Sequence, residues 1–201
     1  MAKRKNYKPL MALVALAAAA LVAATMTFTN VTYWLINATK PPAMKYAGDD
    51  AGIYDRHAPW GKYVIVDYYY DSNRGINITR ISIIGFTGDP TEYTSVIKVC
   101  NYYSDRPITA TLVWVGRVGD PTGYESYIRA FLVKGPDGRY VGFDGATTYA
   151  TVGPYTIYTG QCIDIGAYVA IDPNIAKDYP SVLDGRTVLG RYQVEIRMSP
   201  S

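Results

Sequence analysis

The residues able to carry chemistry are few. His57 is the only histidine and sits in Asp55-Arg56-His57-Ala58-Pro59-Trp60, so any Ser/His/Asp or Cys/His arrangement would have to use it. No G-x-S-x-G elbow accompanies it. Glu92, Glu125 and Glu195 are the only glutamates, a thin supply for the paired carboxylates of glycoside cleavage, which distant strands would have to bring together. Asp71-Ser72-Asn73-Arg74-Gly75-Ile76-Asn77 resembles a calcium loop, but it lacks the closing glutamate and carries Arg at a central position. It reads as a polar hairpin turn. His and Cys do not cluster at metal spacing. The sequence therefore predicts no catalytic residue, no metal site and no cofactor, and the chain reads as other than an enzyme. Tyr68, Tyr69, Tyr70, Tyr102 and Tyr103 could stack on sugars from an exposed surface, although tyrosine is equally a strand and interface residue.

The elements that must position these residues begin with a leader. Lys3, Arg4, Lys5 and Lys8 frame the start of an apolar run from Leu10 to Ala24. A basic segment, a short apolar stretch and small residues at its end match a secretory signal peptide, residues 1–24, cut after Ala24 to within about two residues. A membrane anchor needs about 20 apolar residues. Thr25, Thr27, Thr29, Asn30 and Thr32 make that extension costly. A type IV pilin leader is the third reading, but such pilins are cut before the apolar helix and carry an acid near its start, whereas no Asp or Glu precedes Asp49.

Export would place Cys100 and Cys162 in an oxidising compartment, where two cysteines in one domain pair. One disulfide is expected between the more polar faces of two strands, worth about 4 kcal/mol on the chain-entropy account. Asn30-Val-Thr32, Asn37-Ala-Thr39 and Asn77-Ile-Thr79 are sequons, so Asn30, Asn37 and Asn77 are candidate glycosylation sites.

Past the expected cut, Thr alternates with apolar residues from Thr25 to Ile36 at the period of a β-strand. Met26, Phe28, Val31, Tyr33 and Leu35 fall on one surface, with a slip of phase near Asn30 that implies a bulge. Pro41-Pro42 ends the ladder and stiffens the exit. Residues 25–42 thus read as an extended strand with a Pro-rich spacer. A free apolar strand is an aggregation hazard unless something covers it. Either it folds back onto its own sheet or another chain receives it.

The body, residues 43–201, is all-β. The chain has 201 residues, 49% apolar and 18% charged, with 20 tyrosines and 18 glycines, a balance suited to strands and turns rather than to a helical bundle. Four of the 20 basic residues lie in the leader, leaving 16 against 17 acidic ones, so a nucleic-acid surface is not expected. Strand-like runs recur over 63–70, 76–86, 93–103, 108–118, 124–133, 140–143, 147–158, 162–171 and 188–198, a number that fits a single β-sandwich or jelly roll. Ile108, Ala110, Leu112 and Trp114 should face the core. So should Ile163, Ile165, Ala167, Val169 and Ile171, and Tyr192, Val194, Ile196 and Met198. Gly135-Pro136-Asp137-Gly138 predicts a hairpin turn, and Pro173 to Tyr179 a short helix.

A short leader, a strand directly after the cut, a Pro break and one β-sandwich form a layout that resembles the TasA/camelysin family of biofilm fibre proteins, most closely the bundling pilins of hyperthermophilic archaea. The stretch Ser95-Val-Ile-Lys-Val-Cys-Asn-Tyr-Tyr-Ser-Asp-Arg-Pro-Ile-Thr-Ala-Thr-Leu112 is similar to that family's strand, turn and returning apolar strand. The two cysteines are a departure from the bacterial members. The resemblance implies an extracellular, cell-surface filament, a homopolymer of identical subunits in which the N-terminal strand of one subunit completes the sandwich of the next. It leaves bundling between filaments open as a further contact, and the leader itself makes signal peptidase the partner expected during export. The other reading from a different class is a secreted monomeric adhesin or carbohydrate-binding β-sandwich module.

Overall fold

Period-two alternation becomes strand nearly everywhere the sequence carries it. The computed structural model describes residues 43–73 and 76–200, with backbone alone at Ile76 and Asn77. The leader, the expected donor strand with Met26, Phe28, Val31, Tyr33 and Leu35, the sequons at Asn30 and Asn37, and Pro41-Pro42 lie outside the described residues.

In chain order the elements are β1 (Met44–Ala47), the single-turn α1 (Asp49–Gly52), β2 (Val64–Asp71), β3 (Ile76–Ile83), β4 (Thr91–Cys100), β5 (Ile108–Arg117), a 3-10 turn (Glu125–Tyr127), β6 (Ile128–Lys134), β7 (Tyr140–Asp144), β8 (Thr147–Tyr149), β9 (Thr151–Ile157), β10 (Cys162–Ile171), α2 (Asn174–Asp178), a second 3-10 turn (Pro180–Asp184) and β11 (Tyr192–Pro200). A six-stranded sheet runs β1-β4-β10-β6-β7-β8, a three-stranded sheet runs β11-β5-β9, and β2-β3 forms a separate ribbon. Every ladder between these strands is antiparallel.

The two larger sheets pack face to face as a sandwich. Ile97 and Val99 of β4, Val141 of β7 and Ile165 and Ala167 of β10 meet Ile108, Ala110 and Leu112 of β5 and Val152, Tyr155 and Ile157 of β9 in one buried cluster. Apolar side chains of alternate parity fill this layer because strand residues point in turn to opposite faces. A smaller cluster of Val169, Ile171, Ile175 and Val182 seats α2 and the second 3-10 turn against one end of β10. Trp114 of β5 joins the sheets there, its ring within 5.9 Å of Phe143 and 5.5 Å of Tyr192.

One side of the sandwich is closed by the chain itself. At Ala150 it steps from β8 in the large sheet to β9 in the small one, and Ala150 O accepts the Trp114 N–H at 2.8 Å. Gly153 follows at φ +110°, where a Cβ would stand 2.9 Å from Ala110 O, so only glycine lets β9 carry its bulge against β5.

The alternations of 108–114 and 163–171 point inward as expected, and Gly135–Gly138 joins β6 to β7. The helix within 173–179 spans Asn174–Asp178. Several boundaries differ: β3 ends at Ile83 rather than Phe86, and β4 runs from Thr91 to Cys100 rather than from Tyr93 to Tyr103. The run from Tyr124 opens as a 3-10 turn, because the Glu125 carboxylate takes the N–H groups of Thr122 and Gly123 and folds the chain back. The run 147–158 is cut at Ala150 by the crossing between sheets, and β11 starts at Tyr192 rather than near Val188. The short β1, pairing Tyr46 with Lys98, was not expected at all. Among the described residues no helix is long and apolar enough to cross a membrane.

Candidate strand-acceptor site

The three-stranded sheet shares the covering of the core with the β2-β3 ribbon, and one edge of that small sheet defines the candidate site. An edge strand presents unpaired backbone N–H and C=O groups, a template for another strand unless it is short, interrupted or covered. In the large sheet the edges are β1 with 4 residues and β8 with 3. In the small sheet β9 is interrupted by Gly153-Pro154 and leads directly into the β8 crossing. β11 is different: it is 9 residues long, pairs with β5 on one side, and among the described residues has no strand on the other.

Its faces are sharply unequal. Val194 and Ile196 stand opposite Trp114 and Leu112 and share their inward direction, and Met198 stands opposite Ala110. Val194 and Ile196 are half-buried against the main cluster and Met198 is 37% exposed. The outward face holds the charges, with Arg197 Nη2 2.9 Å from Glu195 Oε2 and Gln193 Nε2 donating to Glu195 at 3.4 Å. The sequence placed Tyr192, Val194, Ile196 and Met198 in the core. Tyr192 is held there by its stack on Phe131, 5.4 Å between centroids, while the row beyond it grows more exposed toward Pro200, where among the described residues no strand lies along the outer edge.

The same buried cluster is approached from the other side by the β2-β3 ribbon. Val64 is fully buried, and Val66 and Ile83 pack half-buried on the cluster, as do Tyr93 and Ile163. Tyr93 Oη donates to Ile84 O at 2.8 Å, and burial pushes its phenol pKa up to about 12. No ladder joins this ribbon to β11. Val194 and Ile196 of β11 and Val66 and Ile83 of the ribbon are therefore half-buried on one core, Met198 is exposed, and among the described residues no ladder joins the two sets. Backbone groups along β11 and apolar side chains on both flanks are the two things a docking β-strand requires.

The remaining candidate residues fall elsewhere. Cys100 and Cys162 form the expected disulfide, joining directly opposed positions of β4 and β10. Both lie on the outer face with Lys98 and Asp164, but Cys100 is only 2% exposed because β1 flanks it on one side and β10 on the other. Asn77 lies in β3, its backbone opposite Tyr70 near the tip of the ribbon. Tyr68, Tyr69, Tyr70, Tyr102 and Tyr103 are all exposed. Within the 71–77 stretch Asp71 pairs with Ile76 across β2 and β3, and Asp71 Oδ1 accepts the Asn73 N–H at 3.0 Å, the mark of an Asx turn. His57 is exposed and rests on Asp55, 3.3 Å from Nδ1 to Oδ1. Asp55 is held below the ordinary carboxylate range chiefly by the His57 backbone N–H. Glu92 pairs with Lys134, Glu125 caps its own turn and Glu195 pairs with Arg197, so each glutamate has a structural partner. No group of three or more His, Cys, Asp and Glu side chains among the described residues is placed to hold a metal ion. No protein-family model matches the chain, and no curated protein matches it.

Proposed function

We propose that this chain is the structural subunit of an extracellular filament, polymerised by donation of the N-terminal strand, residues 25–36, from each subunit to β11 of the next. The observation that carries this reading is the 9-residue edge of β11, which among the described residues has no partner strand on its outer side, with Val194 and Ile196 half-buried along it. The donor's apolar set of Met26, Phe28, Val31, Tyr33 and Leu35 has the period of two that such a row accepts, and burying each side chain is worth roughly 1.5–3 kcal/mol. Donor and acceptor are different surfaces, so the contact propagates from subunit to subunit and yields an open helical fibre. Cleavage of the leader frees the donor strand, which delays polymerisation until export. The Cys100–Cys162 bridge suits that oxidising destination. The layout shared with the TasA/camelysin fibre proteins and archaeal bundling pilins supports the same reading.

The test is a deletion. The protein lacking Thr25 to Ile36 is expected to be a folded, disulfide-bonded monomer that forms no filaments in negative-stain micrographs. Filaments of ordinary length from the deleted protein would overturn the proposal.

A further inference from the structure

One end of the outer face of the six-stranded sheet gathers aromatic rings that the sequence keeps far apart. Met44 and Cys162 both stand opposite Cys100, and Tyr46 and Asp164 both stand opposite Lys98, so all six share that face. Tyr102, just past the end of β4, lies over the disulfide with its Oη 3.1 Å from Cys162 Sγ. Its ring centroid is 5.8 Å from that of Tyr46 at an interplanar angle of 60°. The Tyr46 hydroxyl engages Tyr103, and Tyr68 of the ribbon lies within its electrostatic reach. Tyr102 and Tyr103 are nonetheless 51% and 49% exposed. These rings are held in place by their hydroxyls and by one another, with ring surface left open to solvent.

A groove of about 370 Å3 begins at the same disulfide, lined by Cys162, Asp164, Thr94, Glu92, Lys134 and the Gly135–Gly138 turn. Its charges are already matched. Lys134 Nζ donates to Glu92 Oε1, and Lys98 at the groove's edge donates to Asp49 at 2.8 Å and lies 4.0 Å from Asp164. A phosphate or sulfate group would meet no unmatched ammonium there, and an apolar peptide would strip water from those pairs without replacing it. Open tyrosine faces beside a groove of paired hydrogen-bonding groups suit a ligand with C–H-rich faces and many uncharged hydroxyls.

We propose that this face binds a neutral oligosaccharide, stacked on Tyr46, Tyr102 and Tyr103 and running into the groove at Asp164, Glu92 and Lys134. The site lies on the opposite face of the large sheet from the core that borders β11. Calorimetric titration of the full mature protein with maltohexaose, cellohexaose, mannohexaose and chitohexaose tests it. At least one is expected to bind. Tyr102→Ala and Tyr46→Ala should each weaken that binding about tenfold, while Tyr102→Phe keeps the ring and the affinity and Tyr70→Ala, at the ribbon tip, changes it by less than about twofold. Unchanged melting temperatures would exclude unfolding as the cause. Failure of all four sugars to bind overturns the proposal, as does undiminished binding by the Tyr46→Ala/Tyr102→Ala double variant. So does a double variant whose only change is weaker self-association in sedimentation, which would assign the rings to a contact between proteins.

Discussion

The two sides of the sandwich solve the same edge problem in opposite ways. On the β7-β8-β9 side the chain carries its own strand across from one sheet to the other, Gly153 permits the close approach, and Val141 of β7 and Val152 and Ile157 of β9 are buried. On the β11 side the small sheet stops short. Val194 and Ile196 are half-buried, Met198 is exposed, and the ribbon that shares their core makes no ladder with them. A side whose hydrogen bonds and side chains are satisfied internally supports folding. A side satisfied only in part is suited to assembly, because the missing strand can come from another molecule.

That contrast can be broken by substitution. Leu112→Ala, in the fully buried centre, should destabilise the subunit by about 2–5 kcal/mol, read as a lower urea midpoint with an unchanged slope. Gly153→Ala forces a Cβ into the closed side at φ +110° and should cost about 1–3 kcal/mol in the same measurement. Ile196→Ala, on the open row, should cost the isolated subunit only about 1 kcal/mol, since its side chain is half-buried, yet slow filament growth severely in a turbidity assay. Equal stability losses for Leu112→Ala and Ile196→Ala would erase the distinction between the sides.

The smallest effect separates them by pH. Burial pushes the phenols of Tyr93, bonded to Ile84 beside the ribbon, and Tyr155, under the closed side, up to about 12. The unfolded phenol ionises near 10. A raised acid pKa favours the neutral folded form, so this stability is fully present below about pH 10 and is lost as pH rises toward 12. Melting temperature should therefore fall through that window. Tyr93→Phe and Tyr155→Phe should each flatten the fall.

Much of this was legible in the sequence, and the gaps have physical causes. Strands such as β5 and β10 were readable because a face packed against a whole sheet imposes strict alternation, as Ile108-Ala110-Leu112 shows. The disulfide was readable from two cysteines and an expected compartment. β1 was not, since 4 residues after a proline pair carry no period, and its partner β4 lies about 50 residues on. For the same reason Tyr46 was not seen to join Tyr102, and only the pairing register brings them to one face. The candidate acceptor site was half legible. Tyr192-Val194-Ile196-Met198 alternates like a core strand, and local sequence does not record that among the described residues its sheet ends there.

Hydrogen exchange along β11 tests the account most directly. In intact filaments the outward amides of Tyr192 to Ser199 should exchange at least about a hundredfold more slowly than in the subunit lacking Thr25 to Ile36, and adding a synthetic Thr25–Ile36 peptide to that subunit should restore the protection. Equal exchange in filament and truncated subunit would contradict donation of a strand to β11.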